Sequence, residues 1–194
     1  NLFDSNLFVL MTSESKSYFL YLRESKTNNI MEFNFLTTAV AALMPLVMGF
    51  IWYGPMLFKN AWMKEVGFND DSMKGSNMAL IFGLSYVLSF LMAFILQTVV
   101  IHQFAAQSVL YGEPGFAEGT GEAYTYFMAT YGDRFRTFGH GALHGTMVGL
   151  FIGLPIMGTN AMFEKKSFKY VLINVGYWTV TLALMGGILC QTAF

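Results

Sequence analysis

The sequence predicts an all-α, polytopic integral membrane protein in which four transmembrane helices form a tightly packed bundle. Four stretches of 26, 38, 27 and 25 residues contain no Asp, Glu, Lys or Arg; they are residues 33–58, 75–112, 137–163 and 170–194. Because an apolar helix of ~20 residues crosses the ~30 Å hydrocarbon layer, each stretch is long enough to span a bilayer. The chain is 55% hydrophobic with a mean hydropathy of +0.48, as expected for a protein embedded in a lipid bilayer.

The chain has room for one membrane domain, predicted at 31–194, and for a separate N-terminal segment. Residues 1–30 carry six charges and no apolar run of signal-peptide length. Since Met31 stands directly before the first span, we interpret residues 1–30 as a non-functional extension. The four helices are predicted at residues 35–58, 77–101, 138–161 and 169–192.

Composition restricts the function classes. The net charge of −1 gives no basic surface for nucleic acid. The single cysteine, Cys190, excludes an internal disulfide framework. The sequence contains no P-loop, no Rossmann glycine pattern and no nucleophile–base pair, so it does not predict an enzyme.

The distribution of lysines predicts the orientation. The loops at 59–76 and 162–168 carry or adjoin six lysines, which are Lys59, Lys64, Lys74, Lys165, Lys166 and Lys169. The other side has Arg134 and Arg136 once residues 1–30 are set aside. Because positively charged loops stay cytoplasmic, both termini are predicted outside the cytoplasmic (inner) membrane.

The outer loop, 102–137, is predicted to contain a short amphipathic helix. Aromatic residues recur there at helical spacing, at Tyr124, Phe127, Tyr131 and Phe135. Such a stripe is typical of a helix that lies in the membrane interface. An interfacial anchor and a lid over the bundle are the two interpretations.

Small residues predict close helix packing. The third helix carries four glycines at i+4 spacing, Gly141, Gly145, Gly149 and Gly153, and the second offers Ser85 and Ser89. In lipid, small side chains allow close backbone approach, which recovers van der Waals contact. The stripe leaves open whether it packs within the chain or in a homo-oligomer. Asn174, Thr179 and Thr181 in the fourth helix and Gln97 in the second are predicted to bridge helices by hydrogen bonds.

Two helices share a Gly–Pro spacing. Gly49 precedes Pro55 by six residues, and Gly149 precedes Pro155 by the same number. Matching interruptions in two halves of a chain can mark a transporter substrate site. This pattern raises the hypothesis of a diverged parallel repeat.

An aromatic motif carries a family resemblance. Trp52-Tyr53, a small residue, Pro55 and then Trp62 stand at the end of the first helix. This segment, the four-helix layout and the glycine-rich third helix resemble the small bacterial membrane family catalogued as domain of unknown function 1761. The resemblance covers about residues 33–194 and implies class and topology. It implies no activity, ligand or catalytic residue.

The histidines are the candidate metal ligands. His102 ends the second helix, and His140 and His144 begin the third, so all three are predicted near the outer face with Cys190. Two imidazoles at i, i+4 share one helix face and can reach one metal ion. Zinc or copper(I) suits three His and one Cys, and two His can instead hold a haem.

Three functions remain open on sequence alone. The small-residue packing favours an interaction or assembly protein, with a homo-oligomer or another membrane protein as partner. A channel or transporter for a small neutral solute is the first alternative, since the spans carry no charge for ion coupling. An outer-face metal or haem protein is the second alternative.

Overall fold

The computed structural model describes residues 12–13, 30–72, 74–117 and 121–192. The chain divides into two compact units. The loop unit comprises the residues up to 32 and 102–134, and the membrane unit comprises 33–101 and 135–194. The interpretation of residues 1–30 as an extension falls almost entirely outside the described residues.

All regular secondary structure in the described part of the chain is helical, as predicted. In chain order the helices are α1 Phe35–Ala41, α2 Met44–Trp52, α3 Lys59–Val66, α4 Met78–Val100, α5 Gln103–Leu110, α6 Glu122–Tyr131, α7 Phe138–Val148, α8 Leu154–Phe163 and α9 Phe168–Thr192. A π-helical turn, Gly149–Gly153, joins α7 to α8.

Four helical segments of the membrane unit are long and apolar enough to cross a membrane, which confirms the four predicted spans. Spans 1 to 4 are Phe35–Trp52, Met78–Val100, Phe138–Phe163 and Phe168–Thr192. Their large apolar side chains are widely exposed on spans 1 to 3, where a bilayer would cover them.

Each span begins at a residue whose side chain accepts a backbone N–H. The acceptors are Asn34 for Thr37 N at 2.9 Å, Asn77 for Leu80 N at 3.0 Å, Thr137 for His140 N at 3.3 Å and Ser167 for Tyr170 N at 3.0 Å. Such residues satisfy the free N–H groups of a first helical turn. These caps therefore fix where the spans start.

Span 1 is shorter than predicted. The prediction carried it to residue 58, but the helix ends at Trp52. Pro55 has no N–H to donate, and the residue before a proline avoids helical geometry, so Gly54-Pro55 breaks the helix. The chain closes the break with a hydrogen bond from Phe58 N to Trp52 O of 2.9 Å.

Span 3 passes through its proline. Pro155 lies in the first turn of α8 and cannot donate to the carbonyl four residues before it. Leu154 N–H instead bonds Gly149 O, which produces the π turn. Because Leu154 favours helix where Gly54 does not, the same Gly–Pro spacing breaks one span and only bulges the other. This difference weighs against the repeat hypothesis.

Span 4 is the centre of the membrane unit. In its most apolar window 56% of residues are buried, against 11–22% in the other spans. Met185, Leu189 and Cys190 are fully enclosed, and Leu182 and Tyr177 are nearly so. The other three spans therefore pack around span 4.

The glycine stripe packs within the chain. A Cβ built on Gly141 would lie 2.7 Å from the Gly186 carbonyl carbon, and one on Gly145 would lie 2.5 Å from that of Leu182. A Cβ on Gly149 would lie 2.5 Å from Thr179 Cα, too close for any side chain.

The fourth glycine and the two serines are placed differently. A Cβ on Gly153 would meet only a carbonyl oxygen 3.9 Å away. Ser89 is buried and donates to the carbonyl of Ser85 at 2.7 Å. Three of the four glycines thus face span 4.

The described residues of the outer loop, 102–137, form two short helices where one was predicted. Helix α6 carries Tyr124, Phe127 and Tyr131, but Phe135 lies beyond its end and is not helical. Tyr124 is buried, and Met31 N donates to its hydroxyl at 3.2 Å and to Gln107 Oε1 at 2.7 Å. Burial raises the pKa of Tyr124. These bonds tie the segment before span 1 to α5 and α6.

Candidate functional site

His140 and His144 lie together on α7. Their ring centroids are 4.5 Å apart, and the ring planes are tilted by 59°. Residues four apart are neighbours on one helix face, so the spacing produces this pair directly. Both side chains are half-buried in the first turns of span 3. The structure therefore brings together two of the four predicted ligands as the sequence implied.

Phe135 supports the pair. Its ring stacks on that of His140, with centroids 5.0 Å apart and planes within 15°. Phe135 has φ of 64°, a left-handed conformation that a bulky residue rarely adopts. Such strain costs on the order of 1–3 kcal/mol and persists only where the surroundings impose it. The sequence contains no signal for this turn.

Cys190 lies at the same end of the membrane unit, but its thiol is directed at backbone carbonyls. Sγ is 3.3 Å from the carbonyl oxygen of Val100 and 3.4 Å from that of Phe135. Arg136 Nε donates to the Cys190 carbonyl at 2.8 Å, a favourable place for a cation because helix carbonyls there are negative. Cys190 as a metal ligand stays a prediction.

His102 belongs to the loop unit and is exposed. It directly follows Ile101, which is buried in the membrane unit and caps α4. The acidic residues Glu113 and Glu122 line a cleft of about 560 Å³ in the loop unit.

The aromatic motif forms a clamp between spans 1 and 4. Trp52 Nε1 donates to the Ile173 carbonyl at 3.0 Å, and the Tyr53 hydroxyl donates to Asn174 Oδ1 at 2.8 Å. The rings of Trp62 and Tyr53 have centroids 5.2 Å apart. Burial, and then the nearby Tyr177, raise the pKa of Tyr53 well above its usual value. We call Trp52, Tyr53, Trp62 and Asn174 the aromatic clamp.

The aromatic clamp gives the aromatic motif a structural role, because its contacts with span 4 hold the chain in place where the first helix breaks. The prediction that Asn174 bridges helices is confirmed by its bond from Tyr53. Tyr177, which sequence reasoning missed, adds a bond of 2.7 Å from its hydroxyl to the Pro45 carbonyl. Because Tyr177 stands in an apolar span, the sequence contains no signal for that contact.

Gln97 also bridges helices, as predicted. Its Nε2 donates to Thr38 Oγ1, and its Oε1 accepts from Asn34 N at 3.3 Å. Both Gln97 and Thr38 are fully buried. The pair joins spans 1 and 2 near the end that carries the histidines.

Four apolar spans, three of them packed around the fourth, define an integral membrane protein. The chain matches the family described as protein of unknown function (DUF1761) over residues 36–190, and it therefore belongs to that family. No curated protein and no solved structure matches the chain.

Proposed function

We propose that this protein binds a transition-metal ion through the His140–His144 pair of the membrane unit, with His102 as the third ligand that the sequence predicts. The observation that carries the proposal is the His140–His144 pair, whose rings are already placed side by side. The i, i+4 spacing of two histidines on a helix is a known arrangement for zinc.

The chain connection supports His102 as the third ligand. Val100 and Gly141 both pack against Cys190. His140 adjoins Gly141, and His102 is two residues beyond Val100, a distance of at most ~7 Å along the chain. Cys190 thus holds together Val100 and Gly141, the membrane-unit residues from which the chain leads to His102 and His140.

Zinc is the ion that this donor set suits best. Three neutral imidazoles with one open position form the ligand set of many zinc sites, and thiolate-preferring copper(I) would need the Cys190 sulfur. A haem held between His140 and His144 does not fit, because two axial ligands must approach iron from opposite faces of the macrocycle. Two rings 4.5 Å apart on one helix face leave no room for it.

The other two hypotheses receive less support. Gly141, Gly145 and Gly149 face span 4, so the stripe that suggested a homo-oligomer is used inside the chain. The apolar packing around Leu182, Met185 and Leu189 is the opposite of the polar path that a channel for neutral solutes requires.

We further propose a bacterial inner-membrane location with the lysine-bearing loops 59–76 and 162–168 in the cytoplasm. The supporting observation is the lysine excess of those loops. Ser72 and Ala117 are exposed and lie in opposite predicted compartments. In whole cells, an impermeant maleimide should label Ala117→Cys and spare Ser72→Cys, and the reverse pattern would invert the orientation.

The test of the metal proposal is the zinc content of protein purified without chelator, measured beside a His140→Ala/His144→Ala variant. We expect about one zinc per chain in the wild type and background in the variant. Gly139→Ala is the matched control, because a methyl group there meets nothing within 4 Å. Equal metal in wild type and double variant would overturn the proposal.

A further inference from the structure

The membrane unit carries a patch of unpaired positive charge where span 3 turns into span 4. Six lysines lie on or beside the two loops at this end, and three of them pair with acidic side chains, as Lys59–Asp70, Lys74–Asp71 and Lys169–Glu65. The other three, Lys64, Lys165 and Lys166, are exposed and form no ion pair with any residue that the structure describes. We call them the lysine patch. One further unpaired carboxylate, that of Glu164, stands beside these three positive charges, so the net charge there is +2.

A side-chain hydrogen bond joins the two parts of the lysine patch. Ser167 Oγ donates to Glu65 Oε2, and these two residues directly follow Lys166 and Lys64 in the chain. Lys166 also lies over the ring of Tyr170 in the first turn of span 4, with Nζ 5.8 Å from the ring centroid. Two segments that are far apart in sequence therefore present their lysines at one place on the surface.

The lysine patch lies at the level of lipid headgroups. Span 3 ends at Phe163 and span 4 begins at Phe168, so Lys165 and Lys166 belong to the short link between two membrane-spanning helices. The side chains of Phe163 and Phe168 are 86% and 71% exposed, and aromatic residues at the ends of spans prefer the membrane interface. The ammonium groups thus stand between the hydrocarbon layer and water, where phospholipids carry their phosphates.

Lys165 occupies a backbone position that favours glycine. The end of α8 is a Schellman motif, in which Lys165 N donates to Met162 O at 3.2 Å and Lys166 N donates to Ala161 O at 2.8 Å. The residue after the helix cap is left-handed in this motif and is usually Gly, and Lys165 has φ of 54°. Strain of this kind concentrates at functional positions. The chain therefore keeps a positive charge here against the preference of the backbone.

We propose that the lysine patch binds the phosphate group of an anionic phospholipid in the surrounding leaflet. The charges are complementary, and each lysine close to an anionic lipid surface increases the affinity about fivefold. The first turn of span 4, next to Lys166, adds the positive end of a helix dipole.

The position of the patch favours a lipid over a free phosphate ion or an acidic protein. Because Lys165 and Lys166 lie in the link between two spans, the lipid phosphates are the anions that surround them. The exposed rings of Phe163 and Phe168 can also contact the acyl chains of the same lipid. A free phosphate ion has no apolar part to make that contact.

The test is the affinity of the purified protein in dodecyl maltoside for short-chain phosphatidylglycerol and phosphatidylcholine, measured by native mass spectrometry. We expect tighter binding of phosphatidylglycerol, weakened about fivefold by Lys165→Gly and by Lys166→Gln. Lys74→Gln is the matched control and should bind like the wild type, because Asp71 already neutralises that lysine. Equal affinity of the wild type for both lipids, unchanged affinity in the two patch variants, or displacement of the lipid by an equal concentration of inorganic phosphate would overturn the proposal.

The variants at Lys165 separate the effect of charge from that of folding. Glycine adopts the left-handed conformation without strain, so Lys165→Gly should be at least as stable as the wild type in SDS titration although it binds phosphatidylglycerol more weakly. Lys165→Arg keeps the positive charge and should retain the affinity of the wild type. An arginine variant that binds as weakly as the glycine variant would contradict recognition of the phosphate by charge.

Discussion

Gly145 lies so close to Leu182 that a Cβ built on it would be 2.5 Å from the Leu182 carbonyl carbon. The backbones of spans 3 and 4 therefore touch, and the contact extends over two more glycines of span 3. In lipid, where association gains little from the hydrophobic effect, such close contact is the main source of attraction between helices. The position of the histidine pair at the start of span 3 depends on this packing.

Gly145→Ala should destabilise the membrane unit. The added methyl group meets backbone, which cannot move aside as a flexible side chain can, so spans 3 and 4 must separate. We expect a loss of about 1–3 kcal/mol or more in the free energy of unfolding, measured by SDS titration in micelles. Gly158→Ala, where the methyl group meets nothing within 4 Å, is the control and should unfold like the wild type.

Tyr53→Phe should weaken the aromatic clamp. The variant loses the hydroxyl bond to Asn174, and such bonds in membranes are worth ~0.6 kcal/mol on average and up to ~1.7. The same SDS titration measures the loss. A Tyr53→Phe protein as stable as the wild type would show that the bond contributes nothing.

The raised pKa of Tyr53 predicts an alkaline effect. Between pH ~10, where an unfolded tyrosine ionises, and the higher folded value, only the unfolded chain loses the proton. The contribution of Tyr53 to the free energy of unfolding is therefore complete below pH ~10 and is lost as the pH rises above that value. Tyr53→Phe should reduce the decrease of the unfolding midpoint between pH ~9 and ~11, a range centred on the pKa of ~10 of a free phenol. An identical fall in both proteins would contradict this assignment.

Thr38→Val and Gln97→Leu should not be additive. Thr38→Val leaves the buried Gln97 amide N–H without its partner, at a cost of ~1–3 kcal/mol. Gln97→Leu removes the donor to Thr38 Oγ1, which itself still donates to the Asn34 carbonyl. In the double variant the lost partners are the two halves of one bond, so its cost should be clearly less than the sum of the single costs. The free energies of unfolding of the wild type, the two single variants and the double variant form a double-mutant cycle. Additive costs would mean that the two side chains do not interact.

Cys190 should be unreactive in the folded protein. It is fully buried, and its sulfur lies against two backbone carbonyls. A small maleimide in detergent should label it only after denaturation. Rapid labelling of the native protein would show that the end of span 4 opens to solvent.

Much of the fold follows from the sequence, because four charge-free stretches and their Asn, Thr and Ser caps depend on local composition alone. The end of span 1 at Trp52 could have been predicted from Gly54-Pro55, a pair that breaks helices. The π turn could not, since Leu154-Pro155 allows the helix to continue but does not determine that Leu154 N bonds Gly149 O, five residues back. The His140–His144 pair follows from spacing, whereas the left-handed turn at Phe135 depends on contacts far apart in sequence.

X-ray absorption at the zinc edge of the purified, zinc-loaded protein is the most direct test of the proposed site. We expect a shell of nitrogen at ~2.0–2.1 Å with the scattering pattern of three imidazoles, and no such shell in the His140→Ala/His144→Ala variant, which should bind only background zinc. A first shell without imidazole, or one that the double variant leaves unchanged, would contradict the account.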